Sequence, residues 1–216
     1  MFPPLYAILD SAPDFRATLA LAESLASAGV RLIQLRAKRA SSRTLFEQSA
    51  SLTALLAPLG VRFIVNDRAD VAALVRAGGV HVGQDDLPVA DARRLCPSGQ
   101  WVGVSTHNLD QFRAAAASSA DYIAVGPIFA TATKENPDPV VGLEFIRAAR
   151  ALSQKPLVAI GGIKVESAGQ VYAAGADSIA VIRDLAAAAD AAARARQYLE
   201  IAARRPSPGA GDSRKA

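Results

Sequence analysis

Side chains suited to binding a polyphosphate follow a short apolar run near the start of this sequence. Gln34, Arg36 and Lys38 alternate directly after Leu32-Ile33. Residues two apart share one face of a strand, so these three side chains are expected to point together. Two cations beside an amide suit a polyphosphate or a carboxylate, and a solvated loop at the end of a strand is the alternative interpretation.

Two carboxylates end neighbouring apolar runs, and oxygen ligands of this kind suit Mg²⁺. Asp67, preceded by Asn66, closes one run, and Asp86 closes the next. Mg²⁺ commonly takes one or two protein carboxylates together with substrate phosphate oxygens and waters. Asp67 and Asp86 are therefore predicted metal ligands. Helix capping by Asn66 or Asp67 and an acid/base carboxylate pair are the alternatives.

Three later segments carry groups that bind phosphate. The loop after the sixth apolar run carries two hydroxyls and an ammonium, from Thr131, Thr133 and Lys134. The alternative interpretation is that these side chains only face water. Gly161-Gly162 and Ile182-Arg183 each end an apolar run, and glycine lets backbone N–H groups approach an anion. All three segments are candidates for a phosphate site, although a glycine pair could also be only a tight turn.

The remaining polar residues suggest no nucleophilic catalyst and no zinc site. Ser105 ends the fifth apolar run. His81 lies within a run and is expected to be packed, whereas His107 lies in a loop in a supporting or a solvated position. The single Cys96 excludes an intrachain disulfide and a cysteine-rich metal site. No residue is therefore assigned as a general acid or base.

The elements that must position these residues alternate between strand and helix. Apolar helical periodicity is found in Phe15–Ala28, Arg43–Pro58, Ala69–Ala77, Pro88–Leu95, Leu109–Ser118, Gly142–Leu152, Val165–Ala174 and Leu185–Ala203. Predicted strands are Leu5–Leu9, Arg31–Leu35, Arg62–Val65, Gly79–Val82, Trp101–Ser105, Tyr122–Val125, Pro156–Ile160 and Ser178–Ile182.

Eight strand–helix units predict a single-domain (β/α)₈ TIM barrel, a closed parallel sheet with outer helices. Its active site would collect at the carboxyl ends of the strands. A doubly wound open sheet is the alternative, but it often has an early Gly-rich turn, which is absent after Leu9-Asp10. Residues 1–204 are predicted to form the barrel, and residues 205–216 a disordered basic tail.

Composition excludes several classes of protein. The 216 residues are 51% hydrophobic and 20% charged, which is typical of a globular domain. No apolar run approaches the roughly 18 residues of a membrane span, and no signal peptide is evident, so a cytoplasmic protein without membrane contact is expected. The net charge of +4 admits anionic partners. Nucleic acid is not expected, because the basic residues are scattered and form no stripe with aromatic residues.

Six segments in this order resemble the thiamine phosphate synthase family, over nearly the whole chain to about residue 185. They are Gln34-x-Arg36-x-Lys38, Val65-Asn66-Asp67, His81-Val82-Gly83-Gln84-x-Asp86, Gly103-Val104-Ser105, Gly126-Pro127-Ile128-Phe129 with Thr131-x-Thr133-Lys134, and Ile160-Gly161-Gly162-Ile163. The resemblance implies a TIM barrel that joins an aminopyrimidine methyl diphosphate to a thiazole phosphate. The products would be thiamine phosphate and pyrophosphate.

The resemblance also implies a role for each segment. The residues that would hold the pyrimidine diphosphate are Gln34, Arg36, Lys38, Asn66, Ser105 and Lys134. The residues that would hold the thiazole phosphate are Thr131, Thr133, Gly162, Ile182 and Arg183. Asp67 and Asp86 would bind the Mg²⁺ cofactor. Arg183 stands where the family usually has a small hydroxyl residue, a change that is compatible with a backbone N–H contact.

The implied reaction is dissociative, through a pyrimidine cation that the thiazole nitrogen captures. Positive charge around the leaving diphosphate would supply the catalysis, which is why no general base is needed. A thiazole tautomerase of the same superfamily is one alternative, but its relatives lose the metal-binding carboxylates. A non-catalytic barrel that binds phosphorylated ligands is another. The presence of both Asp67 and Asp86 argues against the first. The expected partners are small phosphorylated substrates.

Overall fold

Eight parallel strands pair in sequence order and close into a barrel. The computed structural model describes residues 1–12, 14–131 and 139–205. The strands are β1 Leu5–Asp10, β2 Leu32–Arg36, β3 Arg62–Asn66, β4 Gly79–Val82, β5 Trp101–Thr106, β6 Tyr122–Val125, β7 Leu157–Ile160 and β8 Ser178–Val181. Strands β1 and β8 close the barrel with Leu5 opposite Ile179. The predicted TIM barrel is confirmed, and the open-sheet alternative is wrong.

The alternation of side chains along the strands divides the core into two layers. Along β1, Leu5, Ala7 and Leu9 belong to the layer that packs against the helices. Tyr6 and Ile8 belong to the second layer, inside the barrel. Consecutive strand residues point to opposite faces, and here one face packs on the helices and the other fills the barrel. Both faces are therefore buried, which is why the strands appear in the sequence as nearly continuous apolar runs.

Helices cover the outside of the barrel. They are α1 Phe15–Ser27, α2 Ser42–Leu56, α3 Ala69–Leu74, α4 Val89–Leu95, α5 Leu109–Ala117, α6 Gly142–Leu152, α7 Val165–Ala173, α8 Arg183–Ala186 and α9 Ala191–Ala203. A single 3₁₀ turn, Ala57–Leu59, follows α2. Within the described residues, no helix is long and apolar enough to cross a membrane.

The predicted single helix Leu185–Ala203 is wrong, because the chain forms two helices in this region. A short helix, α8, ends at Ala186, and α9 begins at Ala191 after an N-cap at Asp190. The Asp190 carboxylate accepts a hydrogen bond from Ala193 N at 2.9 Å, which stabilises a new helix start. The surrounding alanines favour helix throughout, so the pattern of apolar residues gave no sign of a break.

Two other helices end two or more residues before their predicted boundaries. Helix α2 stops at Leu56 rather than Pro58, since proline has no N–H to donate to the preceding turn. Helix α3 stops at Leu74 rather than Ala77, and Arg76 then adopts a left-handed conformation with φ 52°. Of the predicted tail, residues 206–216 lie outside the described residues.

Candidate active site

A cavity of about 870 Å³ opens at the carboxyl ends of the strands. Every predicted site residue that the structure describes lines it: Gln34, Arg36, Lys38, Asn66, Asp67, Asp86, Ser105, Thr131, Gly162, Ile182 and Arg183. Thr133 and Lys134, also predicted to bind substrate, lie outside the described residues. The parallel barrel therefore brings together residues that are far apart in the sequence.

The two carboxylates at the ends of β3 and β4 interact with each other. Asp67 adopts a left-handed backbone conformation, φ 64°, which is uncommon for a residue other than glycine. Asp86 Oδ2 accepts a hydrogen bond from Gly83 N at 2.7 Å. Burial raises the pKa of Asp67, and the hydrogen bond and negative charge of Asp86 raise it further. Both carboxylates are thus held where a cation would relieve their repulsion.

Lys38 places a positive charge beside the two carboxylates. Lys38 Nζ lies 3.3 Å from Asp67 Oδ2, and this contact lowers the pKa of Asp67 without outweighing burial and the second carboxylate.

The interpretation that Asn66 or Asp67 caps the next helix is wrong. The N-cap of α3 is Arg68, and no side chain caps that helix.

The carboxylate pair fits a magnesium ion better than zinc. Among the residues that the structure describes, no group of three or more His, Cys, Asp or Glu side chains could hold a metal. Zinc sites usually need three or four such ligands. Mg²⁺ keeps several waters and takes phosphate oxygens of the substrate, so two carboxylates beside an open cavity suffice for it.

An ion pair that the sequence analysis missed orients one of the predicted cations. Arg36 Nη1 donates to Asp10 Oδ1 at 2.7 Å, and these residues are neighbours in the register of β1 and β2. The Arg36 side chain is only 20% exposed. Asp10 is the last residue of β1, as Arg36 is of β2. Because polar residues at the ends of parallel strands collect on one face of a barrel, Asp10 could have been predicted as a site residue.

The Gln34 amide is fixed by partners on both sides. Its Oε1 accepts a hydrogen bond from the Tyr6 hydroxyl at 2.6 Å, and its Nε2 donates to Asn66 Oδ1 at 3.2 Å. Tyr6 also lines the cavity. It lies inside an apolar run, so the sequence pattern did not identify it as a site residue. The orientation of two predicted pyrimidine ligands is therefore set by a third residue that was not predicted.

The two histidines support the site in different ways. His81 is buried, as predicted, yet it lines the cavity; its Nδ1 lies 3.0 Å from the Tyr122 hydroxyl and its Nε2 2.9 Å from Ser105 Oγ. His107 Nδ1 donates to Gly126 O at 2.6 Å, which favours the supporting position over the solvated one. Hydrogen bonds thus orient both rings.

A glycine turn after β7 forms the opposite wall. Gly161 and Gly162 have φ of 102° and 63°, a region that favours glycine. A Cβ on Gly162 would lie 2.4 Å from Ala130 O, so the turn packs directly on the loop after β6. Backbone groups and two cations, Lys164 and Arg183, line the cavity here.

A polar cluster anchors α8 behind that wall. The Asp184 carboxylate accepts hydrogen bonds from Arg194 Nη1 at 3.0 and 3.1 Å and from the Tyr198 hydroxyl at 2.8 Å. The cluster was not predicted, because Asp184 precedes the predicted helix Leu185–Ala203, which carries Arg194 and Tyr198. The contact holds Arg183 and its backbone at the mouth of the cavity.

Comparison with known proteins shows which family this chain belongs to. A sequence profile described as thiamine monophosphate synthase matches residues 5–185. The thiamine-phosphate synthase of Koribacter versatilis is 46% identical over 204 residues, which covers 92% of this chain and 95% of that protein. The thiamine-phosphate synthase of Chloroflexus aurantiacus is 46% identical over 194 residues, 89% of each chain.

A solved structure resembles both the sequence and the fold. Thiamine phosphate pyrophosphorylase from Pyrococcus furiosus superimposes with a TM-score of 0.83 and is 33% identical. The match covers 93% of this chain and 95% of that one. The resemblance inferred from the six segments is therefore confirmed.

Proposed function

This chain belongs to the thiamine monophosphate synthase family and is a transferase, and on that premise we propose the reaction it catalyses. It joins 4-amino-2-methyl-5-hydroxymethylpyrimidine diphosphate to 4-methyl-5-hydroxyethylthiazole phosphate, giving thiamine phosphate and pyrophosphate. The observation that carries the proposal is one cavity whose two walls have different linings. The first combines carboxylates with cations, and the second combines a glycine turn with Lys164 and Arg183.

The diphosphate binds at the first wall. Arg36 and Lys38 carry the positive charge, and each already contacts a carboxylate, Asp10 and Asp67 respectively. Bidentate guanidinium contacts suit phosphate oxygens, and an ammonium acts as a point charge beside them. Lys134 is the third proposed cation for this group. Gln34, Asn66 and Ser105 hold the pyrimidine ring deeper in the cavity.

Asp67 and Asp86 hold Mg²⁺ in this proposal. The pKa of Asp67, raised by burial and then by the neighbouring Asp86, supports it, because a bound cation would stabilise the charged form of the two carboxylates. When bound, the ion would neutralise charge on the leaving diphosphate.

The bond that breaks joins the pyrimidine methylene carbon to the diphosphate oxygen. The diphosphate leaves with the bonding electron pair, and the thiazole nitrogen donates its lone pair to the resulting pyrimidine cation. No proton moves in this exchange, so the absence of an assigned general base is consistent with it. The protein holds both partners in attack geometry, while Ile8, Val158 and Ala180 line an apolar floor that excludes water.

The thiazole phosphate binds at the second wall. Thr131 and Thr133 supply hydroxyls, while Gly162 and the Ile182-Arg183 backbone supply N–H groups. The left-handed conformation of Gly162 supports this assignment, since it brings the backbone to the cavity where a side chain would clash with the β6 loop.

A turnover assay tests the proposal. Purified protein is mixed with both substrates, with Mg²⁺ or with EDTA, and thiamine phosphate is measured. Product that forms only with Mg²⁺ is expected. Folded protein that forms no product in either condition contradicts the reaction, and equal product in EDTA contradicts the metal assignment alone.

A further inference from the structure

A chain of hydrogen bonds links side chains from six neighbouring strands inside the barrel, beneath the cavity. In order, its members are Ser105, His81, Tyr122, Tyr6, Gln34 and Asn66. All but Tyr122 line the cavity. Tyr122 is fully buried and belongs to the inner core layer, so it can act on a substrate only through its neighbours.

The direction of each hydrogen bond follows from the Gln34 end. The Oε1 atom of Gln34 can only accept, so the Tyr6 hydroxyl, 2.6 Å away, donates its one proton to it. The Tyr6 oxygen must then accept from the Tyr122 hydroxyl, 3.0 Å away. With its proton used in this way, the Tyr122 oxygen accepts from His81 Nδ1 at 3.0 Å. His81 therefore carries a proton on Nδ1.

The consequence reaches the cavity at Ser105. A neutral histidine protonated on Nδ1 has a lone pair on Nε2. Ser105 Oγ lies 2.9 Å from His81 Nε2, so in this tautomer the Ser105 hydroxyl donates its proton to that lone pair. The Ser105 oxygen is left as an acceptor toward the cavity. An amino group can donate to such an oxygen, whereas a carbonyl oxygen cannot.

The two tyrosines keep the protons that this order requires. Burial raises the pKa of Tyr6 and of Tyr122 above the ordinary value of 10.0. The Gln34 amide is oriented consistently with the same order, because its Nε2 donates to Asn66 Oδ1 at 3.2 Å. Each hydroxyl thus has one proton and one defined acceptor.

A glycine on the neighbouring strand makes room for the Tyr122 hydroxyl. Gly103 lies opposite Tyr122 in the β5–β6 register. A Cβ on Gly103 would lie 2.0 Å from Tyr122 Cζ and 2.4 Å from its hydroxyl oxygen. The Tyr122 ring also stacks on His81, with centroids 5.5 Å apart. Packing therefore places the hydroxyl beside His81, and any side chain at position 103 would displace it.

We propose that Tyr122 is a positioning residue for substrate specificity. Through its hydroxyl it holds His81 as the Nδ1–H tautomer and Ser105 Oγ as a hydrogen-bond acceptor. The exocyclic amino group of the pyrimidine donates to that oxygen, so the site selects an aminopyrimidine over its 4-oxo analogue. The substrate part of this inference rests on the proposed function, whereas the tautomer does not.

The tautomer is measured first, in the unmodified protein. The chain has two histidines, so ¹⁵N NMR of histidine-labelled protein gives two ring spectra, and a His107→Gln variant assigns them. A proton on Nδ1 of His81 and a lone pair on Nε2 are expected. A proton on Nε2 overturns the inference, because Ser105 would then donate toward the cavity.

Tyr122→Phe tests the effect on specificity. This substitution keeps the ring and removes the hydroxyl, so His81 loses the acceptor that holds its tautomer. The matched control is Tyr172→Phe, which removes a hydroxyl that donates to Pro4 O at 2.8 Å, away from the cavity. The preference in kcat/KM for the aminopyrimidine diphosphate over its 4-oxo analogue should fall about tenfold in Tyr122→Phe. It should not change in the control.

Two outcomes separate this inference from the proposed function. An active wild-type enzyme whose specificity is unchanged in folded Tyr122→Phe overturns the positioning role alone. A wild-type protein that forms no thiamine phosphate overturns the proposed function, and the tautomer measurement then decides the remaining claim. Gly103→Ala is the second variant, and a tautomer shift without loss of the hydroxyl is expected from it.

Discussion

The two walls of the cavity differ in whether side chains or backbone form them. At the ends of β2, β3 and β4, side chains carry the chemistry, with Lys38 and Asp67 in an ion pair and Asp86 beside them. At the ends of β7 and β8, backbone geometry dominates, with Gly161 and Gly162 in left-handed conformations. The first wall should therefore be sensitive to a change of charge, and the second to an added atom.

The largest effect is expected from Asp67→Ala, which removes a charge from the first wall. Turnover with Mg²⁺ should fall on the order of 10³-fold, because a bound ion supplies several kcal/mol of charge stabilisation. Asp70→Ala is the control, since Asp70 pairs with Arg68 at the surface, with side chains 48% and 40% exposed. Steady-state kinetics and circular dichroism check both. Wild-type activity in Asp67→Ala would refute the metal assignment.

Gly162→Ala tests the second wall with no change of charge. The new Cβ meets Ala130 O at 2.4 Å, so the turn must move. KM for the thiazole phosphate should rise on the order of 10-fold or more, since a small misplacement of binding groups is costly. KM for the pyrimidine diphosphate should change little.

Gly60→Ala controls for backbone strain in that experiment. Gly60 has nearly the same φ, 67° against 63°, and nothing lies within 4 Å of its added Cβ. Both variants share the cost of a left-handed alanine, about 1–2 kcal/mol. An equal loss of thiazole phosphate affinity in the two would show that the second wall does not bind that substrate.

Arg36→Met should weaken the first wall by less than loss of the metal ligand. It removes one cation from the diphosphate site and leaves Asp10 without its 2.7 Å partner. KM for the pyrimidine diphosphate should rise roughly 10-fold, as expected for one charge-assisted contact. KM for the thiazole phosphate should stay within about twofold. A matching rise for both substrates would mean that the walls are not separate.

The smallest effect concerns stability, and its sign is opposite to that on activity. The pKa of Asp67 is raised in the folded chain, mainly by burial and then by Asp86. Its contribution to stability is therefore full below its ordinary pKa of 3.8 and is lost as pH rises through the folded value. In EDTA, Asp67→Asn should be more stable than wild type at pH 7, by about 1 kcal/mol or less.

Urea unfolding at several pH values checks this prediction. The stability difference between Asp67→Asn and wild type should shrink as pH falls toward 3.8. Addition of Mg²⁺ at pH 7 should stabilise wild type and not the variant, since only a bound ion stabilises the folded state. A variant that is less stable than wild type at pH 7 would mean that the Lys38 contact outweighs the repulsion.

Much of the barrel could be predicted because its local signals are strong. The apolar runs that became β2 and β3 are rich in branched residues and end in polar ones, and those ends form the cavity. The break between α8 and α9 could not be predicted, since a single capping carboxylate, Asp190, competes there with many helix-favouring alanines. Local propensity is a sum over residues, and one cap changes it little.

The types of residue at the strand ends, and their order, are local properties of the chain, and they were enough to predict the barrel and the candidate ligands. The partners of these residues depend on the folded arrangement. Arg36 with Asp10, and Tyr122 with His81, are 26 and 41 residues apart. The physical reason is that strand register and barrel closure set these distances, and packing of the inner layer sets the side-chain directions. Both depend on contacts between strands that no local pattern records.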